Sequence, residues 1–399
     1  MGRAQPVPTL DRMAARGLRF GALAGVAALV GVTGASPASS IAPLLPARAL
    51  TIVAQAGDRL GPLGPIALAG PVAAYTVVGA AKGAPANSCS SGRVYRWNLA
   101  SGRSSPVSGK LTCGQGESST GGGIEQIAMA GSRTAWLYNA GGNVESGEIL
   151  FSSTAIPGKD AILARSDRME GPESGSPLAG TWIRGLVSDG SRISYSTWTT
   201  ASNGTISGGA LWRLAGPAEV TLARGANTVV ASSADAGRVA VLRSDGTVGI
   251  YGIQGQLLQT IKPGSAQAVA LTGGLVAVLT RTNTMDVYDR VTGTLLHSWP
   301  IVHGIGANNA PVTLDASGGI AVYLAGPSIH ALDLLTGKDV VLATHETRNE
   351  PEIVSARIDS AGLLYDYDAY GTYRVKGTYY DKGTVVFVPF ATVATSVGR

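Results

Sequence analysis

Charge is scarce in this sequence. Asp, Glu, Lys and Arg together make up 14% of its 399 residues, and lysines and arginines nowhere form a run. A protein that grips a phosphate backbone needs clustered cations that release counterions. The formal charge of +5 does not supply them. Arg3, Arg12, Arg16, Arg19 and Arg48 stand against Asp11 alone in residues 1–49, and without that segment the balance falls to +1. Nucleic acid is therefore excluded as a partner. Cysteine is nearly absent, with Cys89 and Cys113 the only two, which rules out a disulfide-dense scaffold and a cysteine-built zinc site. There is no G-x-S-x-G elbow, no H-E-x-x-H, and no glycine-rich phosphate loop opening a helix. Sustained 3.6-residue periodicity with caps is also missing outside the N-terminus.

What is present begins with an export signal. Arg16 and Arg19 precede the apolar run 20–35, and Ser36-Pro37-Ala38 offers small residues for cleavage. The run falls short of the ~20 residues of a spanning helix, but an uncleaved anchor stays open as the alternative. A Pro/Ala/Ser linker follows, so residues 1–49 are read as leader plus linker and 50–399 as one domain. The expected location is secreted or in the cell envelope, with membrane contact only through residues 20–35 if they are retained. Such a compartment allows a Cys89–Cys113 disulfide; two separate thiols are the alternative.

Glycine is abundant, at 55 residues, and it punctuates a repeat. Residues 239–262, 275–299 and 319–343 each read as an apolar strand, a polar turn, an alternating strand, a turn ending in Gly, and a third apolar strand. The turns Ser244-Asp245-Gly246, Thr292-Gly293 and Thr336-Gly337 suit hairpins that need positive φ. One more apolar stretch precedes each unit, giving four strands at a period near 40, the spacing of a propeller blade. Blades are expected at 66–112, 124–165, 180–224, 227–263, 266–301, 310–344 and 352–390. The last offers three strands (353–358, 363–367 and 384–390). Ala49–Ala54, a strand with no blade of its own, supplies the fourth and removes the exposed edge. The fold class is all-β: a seven-bladed β-propeller closed by its N-terminal strand.

Val287-Tyr288-Asp289 with Thr292-Gly293, and Ala331-Leu332-Asp333 with Thr336-Gly337, resemble the A-x-D-x-x-T-G element of WD40-like and quinoprotein-like (PQQ-like) propeller repeats. The Asp is expected to cap amides of the turn between third and fourth strands. The quinoprotein form places a Trp soon after the Gly. Here Trp299 comes later and the next blade has none, so no quinone cofactor is expected. The resemblance also implies that ligands meet the face holding the second-to-third hairpins and the links between blades. Cys89 and Cys113 fall in adjacent loops there.

Four groups on that face are candidates. Residues 365–380 hold six of the 13 tyrosines; Tyr370, Tyr373, Arg374, Tyr379 and Tyr380 form a hairpin tip suited to recognition, with mutual packing of the rings as the alternative. The links 303–309 and 345–352 contribute His303, Asn308, His345 and Arg348, whereas His297 and His330 read as satisfied strand residues. The acidic link 166–177 reads as a solvated loop. At the axis, Glu125, Asn227, Gln267, Asn309 and Glu352 begin innermost strands. Glu125, Asn227, Asn309 and Glu352 resemble the oxygen set with which propeller lactonases hold Ca²⁺; a water-filled channel is the alternative. The leading expectation is a non-catalytic exported module, without cofactor, that binds a protein, peptide or glycan. A metal-assisted hydrolase and a structural scaffold of the envelope are the competing ones.

Overall fold

The computed structural model describes residues 45–399 except 56–62, 80–90, 110–120, 142–144, 154–159, 167–168, 171–179, 202, 204, 216–217, 227–228, 303–312, 346–351 and 376–377. Leu44–Arg399 form one compact unit.

The described strands assemble into seven antiparallel sheets. Blade 5 shows the plan: Ala266–Thr272, Leu275–Thr280, Thr284–Asp289 and Leu295–Pro300 run from the innermost strand to the outermost. Second strands are packed on both faces by neighbouring blades, so they read as unbroken apolar runs such as Val276-Ala277-Val278-Leu279, all buried. Fourth strands are outer edges, and Leu257, Leu258, Leu295 and Leu296 are exposed there. Blades 1–4 and 6 start at Ala67, Gly121, Gly180, Val229 and Leu314. Blades 2 and 3 each gain a two-residue strand, Met169–Glu170 and Ile206–Ser207.

Blade 7 is composite. Glu352–Ile358, Gly362–Val375 and Thr378–Pro389 supply three strands, and Arg48–Gln55 pairs along the third as the fourth. The expected closure is therefore observed, with Leu50 opposite Val385 and Thr51 opposite Thr384. Among the described residues there are seven core clusters, and each lies between two consecutive blades. The decisive one joins the ends of the ring: Leu364, Val385 and Phe387 of blade 7 pack with Ile66, Tyr75 and Trp97 of blade 1.

Short turns collect on one face of the ring, hereafter the turn face. A relay of hydrogen bonds crosses the blade junctions there. Asp189 Oδ2 accepts from Gly237 N at 2.7 Å, Asp235 Oδ2 from Gly273 N at 2.8 Å, and Thr272 Oγ1 from Gly319 N at 3.0 Å. Asp315 Oδ2 continues it to Ile358 N at 3.0 Å, and Asp359 Oδ2 returns it to blade 1 at Gly70 N, 2.6 Å away.

The third-to-fourth turns behave as their sequence implies. Asp289 Oδ1 accepts from the amides of Val291 and Thr292, at 2.9 and 2.7 Å. Asp333 Oδ1 accepts from Leu335 and Thr336, at 2.8 and 3.0 Å. Blade 1 repeats the device with Asn98, whose Oδ1 accepts from Ser101 N at 2.8 Å. The Asp333 and Asn98 turns are also held by the preceding blade. Trp299 Nε1 donates to Leu334 O at 3.0 Å, and Arg48, in the closing strand, donates through Nε to Leu99 O at the equivalent place. The glycines Gly337 (φ 73°) and Gly102 (φ 74°) leave room for those two side chains.

A helix over Phe390–Ser396 follows the last strand, which the sequence reading carried through to residue 390. It is too short to show a periodic pattern, and its N-terminus has no side-chain cap. Val393 and Val397 fix it to the cluster between blades 6 and 7.

Candidate binding face

The face opposite the turns carries the links between blades and the second-to-third hairpins. Its principal described feature grows out of blade 7. Glu352 at the start of the first strand pairs with Asp368, yet the second strand continues to Val375. The ladder with the third strand resumes past a bulge between Ala369 and Tyr373, placing Tyr373 opposite Tyr380 and Arg374 opposite Tyr379. The closing strand follows, with Gln55 opposite Tyr380. Seven residues beyond the blade make an arm about 20 Å long at the usual strand rise. Among the described residues no strand pairs with the other edge of 369–375. Tyr370, Tyr373, Arg374, Tyr379 and Tyr380 all belong to this arm.

At the foot of the arm the alternation of Tyr365-Asp366-Tyr367-Asp368 sends tyrosines toward blade 6 and carboxyls toward blade 1. His345 leaves the outermost strand of blade 6 and stacks on Tyr367, with ring centroids 3.8 Å apart and planes inclined by 17°. Tyr365 lies 5.8 Å from the same imidazole. Burial lowers the His345 pKa and favours the neutral ring. Its Nε2 is enclosed without a hydrogen-bond partner among the described residues. The structure thus brings His345 to the base of the tyrosine segment, as one continuous surface of blades 6 and 7.

Behind the tyrosines are two buried carboxyls. Asp366 Oδ1 accepts from Ser355 N at 2.9 Å and Ser355 Oγ at 3.0 Å. Burial pushes its pKa up to about 7, against the lowering effect of those two bonds and of Arg357. Asp368 Oδ2 accepts from Leu63 N at 3.4 Å, across the junction with blade 1. Both lie in the segment 365–380 that sequence reading singled out, but it gave neither a role. The available signal was the Asp-x-Asp spacing, which puts two acids on one face of a strand whose other neighbours on that face are apolar.

At the axis, Glu125 is the one member of the predicted oxygen set whose side chain is described. Glu125 sits in a bulge of the innermost strand of blade 2, between Ile124 and Gln126. Its oxygens accept from Asn139 Nδ2 at 2.8 Å and from Arg184 Nη1 at 3.1 Å. Arg184 in turn lies over the Trp198 ring at 5.3 Å. A dication there would compete with Arg184 for that carboxylate. Among the described residues no three His, Cys, Asp or Glu come together. Glu352 is placed by its backbone alone. Asn227, His303, Asn308, Asn309, Arg348, Cys89 and Cys113 lie outside the described residues. His330 is satisfied as expected, 3.2 Å from Asp339 and stacked on Tyr323. A cavity of ≈ 10 Å³ between blades 3 and 4, lined by Asp189, Arg192 and Arg213 among others, has room for a single water.

No family model matches this sequence, and no curated protein does. Solved structures do resemble it. The computationally designed Ika8 protein is 15% identical, with 84% of this chain and 100% of that chain covered and a TM-score of 0.41. A chain of the Mitotic Checkpoint Complex is 14% identical, with 86% and 94% covered and a TM-score of 0.46. The designed Ika4 protein is 22% identical over 35% of this chain and 84% of its own, at a TM-score of 0.27. The seven sheets and seven junctions make this chain a seven-bladed β-propeller.

Proposed function

We propose that this propeller is an exported, non-catalytic binding module whose arm holds an extended segment of a partner protein. The observation that carries this reading is the arm: paired strands continue beyond the ring with Tyr373 and Tyr380 opposite one another and an edge at 369–375 that no described strand covers. An uncovered edge offers backbone donors and acceptors to an added strand, which favours a peptide over a glycan. Tyrosines beside it give contact area at low entropic cost. The His345–Tyr367 stack continues that surface toward blade 6.

The test is selection of peptides from a random displayed library on the intact protein, followed by calorimetry of the enriched sequence. Replacing Tyr373 and Tyr379 together with Ala removes two anchors and is expected to weaken binding at least roughly tenfold. Undiminished binding by that variant sinks the reading, as does a protein that enriches no peptide but selects carbohydrates on a glycan array.

A further inference from the structure

The turn face has an unusual composition at its rim. In blades 4, 5 and 6 the tips of consecutive third-to-fourth turns are Ile253, Val291 and Leu335, which are 37%, 74% and 52% exposed. Val291 and Leu335 occupy one repeat position, two residues after Asp289 and Asp333; Ile253 follows directly on Gly252, which holds the place of those aspartates in a turn one residue shorter. The residue before Leu335 explains why this is not a requirement of the fold. Leu334 at that place is buried in the core, whereas Leu335 points outward and is fixed only through its amide. Leu257 and Leu295, at the near ends of the fourth strands, extend the exposed apolar surface in two of the three blades. Single surface leucines need no explanation. Exposed apolar residues in the same turn of three successive blades make an arc.

The charges around the arc are sorted. Exposed Lys338 follows the turn of Leu335, whereas Arg290, next to Val291, has its Nη1 enclosed. Arg103 holds in blade 1 the place that Lys338 holds in blade 6, and the Arg192 side chain of blade 3 is 40% exposed. The described carboxylates at these turns are instead engaged by hydrogen bonds within the protein. Asp189, Asp235 and Asp359 accept amides of the next blade. Asp289 and Asp333 cap their own turns, and Asp333 is further paired with Arg399. Cations beside protruding apolar tips are the chemistry that meets anionic headgroups above hydrocarbon. Two copies of this face would confront cation with cation in a two-fold contact, which disfavours self-association. The closing strand also enters the ring here, at Arg48.

We propose that the turn face of blades 4–6 docks on an anionic lipid bilayer, with Ile253, Val291 and Leu335 entering the headgroup boundary and Lys338 meeting phosphates. This surface is opposite the arm and does not depend on what the arm binds.

The experiment is hydrogen–deuterium exchange on the full chain, with and without vesicles of phosphatidylcholine alone or with a one-quarter share of phosphatidylglycerol. A local readout is needed because the apolar run 20–35 could hold the chain on either vesicle. Amides around Val291 and Leu335 should be protected by the anionic vesicles, far less by the neutral ones, and less in high salt. Val291→Asp with Leu335→Asp should weaken that protection roughly tenfold, the scale set by two exposed apolar side chains. An unchanged melting temperature of the variant keeps misfolding out of the comparison. Exchange that ignores vesicles, or that neutral vesicles slow equally, overturns the proposal. So does protection that appears without vesicles and grows with protein concentration, which marks a second copy of the chain as the occupant.

Discussion

The Asp359 carboxylate accepts a hydrogen bond from Gly70 N at 2.6 Å, joining residues 289 positions apart. It is the relay contact that makes blade 7 a neighbour of blade 1, and Asp359 also accepts from Ala361 N at 2.7 Å in its own turn. Asp359→Ala leaves those amides without their acceptor, an expected loss of about 1–3 kcal/mol. Urea denaturation measures it, with faster amide exchange around Gly70 as the local sign. A variant with wild-type stability and exchange shows the contact to be incidental.

Arg48 does for blade 1 what Trp299 does for blade 6. Its guanidinium donates to Leu99 O and, at 2.5 Å, to Ala100 O. Arg48→Ala should cost about 1–2 kcal/mol, the worth of charged donors meeting backbone carbonyls at a partly exposed site. Loss should appear first as faster exchange in residues 98–103. Arg48→Lys should recover only part of it, because one ammonium cannot match the fork.

A Cβ on Gly337 would sit 2.5 Å from the Trp299 ring, at a φ of 73°. Gly337→Ala should therefore destabilise by about 1–3 kcal/mol from clash and strain together. Trp299→Ala in the same chain should relieve the clash but not the strain. The double-mutant cycle should therefore give a non-additive total. Additive losses contradict the packing described.

The pH dependence of stability should carry the mark of Asp366. Its folded pKa of about 7 lies above the carboxylate range of an unfolded chain. The folded protein keeps a proton that the unfolded chain releases, so this group favours folding at acidic pH. That advantage declines as pH rises from about 4, and the loss levels off above about 7. Asp366→Asn keeps a neutral group and an oxygen for Ser355 at every pH. It should match the parent near pH 4 and exceed it at pH 8, by at most about 4 kcal/mol for a shift of this size. Denaturation curves at the two pH values decide; parallel behaviour of both proteins removes Asp366 from the account.

The sequence revealed the ring through blades whose turns keep Asp, Thr and Gly in register. Asn98-Leu99-Ala100-Ser101-Gly102 escaped notice because Asn and Ser do the same capping with different letters. Closure by the N-terminal strand was legible from arithmetic, since blade 7 lacked a strand and residues 49–54 lacked a blade. The arm was read as a tip on a short strand, although pairing continues to Val375. Tyr and Gly in the bulge of 370–372 interrupt the alternation that marks a strand. The Arg184–Glu125 pair could not be read at all, because it joins positions 59 apart through the geometry of neighbouring blades.

The composite last blade also fixes the order in which this protein can be made. Residues 48–55 leave the ribosome more than 300 positions ahead of residues 380–387, with which they pair. Until then six blades can stack, but the first presents an open flank and the early strand is a sticky, single thread. The penalty for bringing such distant ends together grows only logarithmically with the chain between them, so separation itself is a minor obstacle. Time is the larger one, and whatever shields that thread from aggregation during synthesis or transit acts before the circle exists.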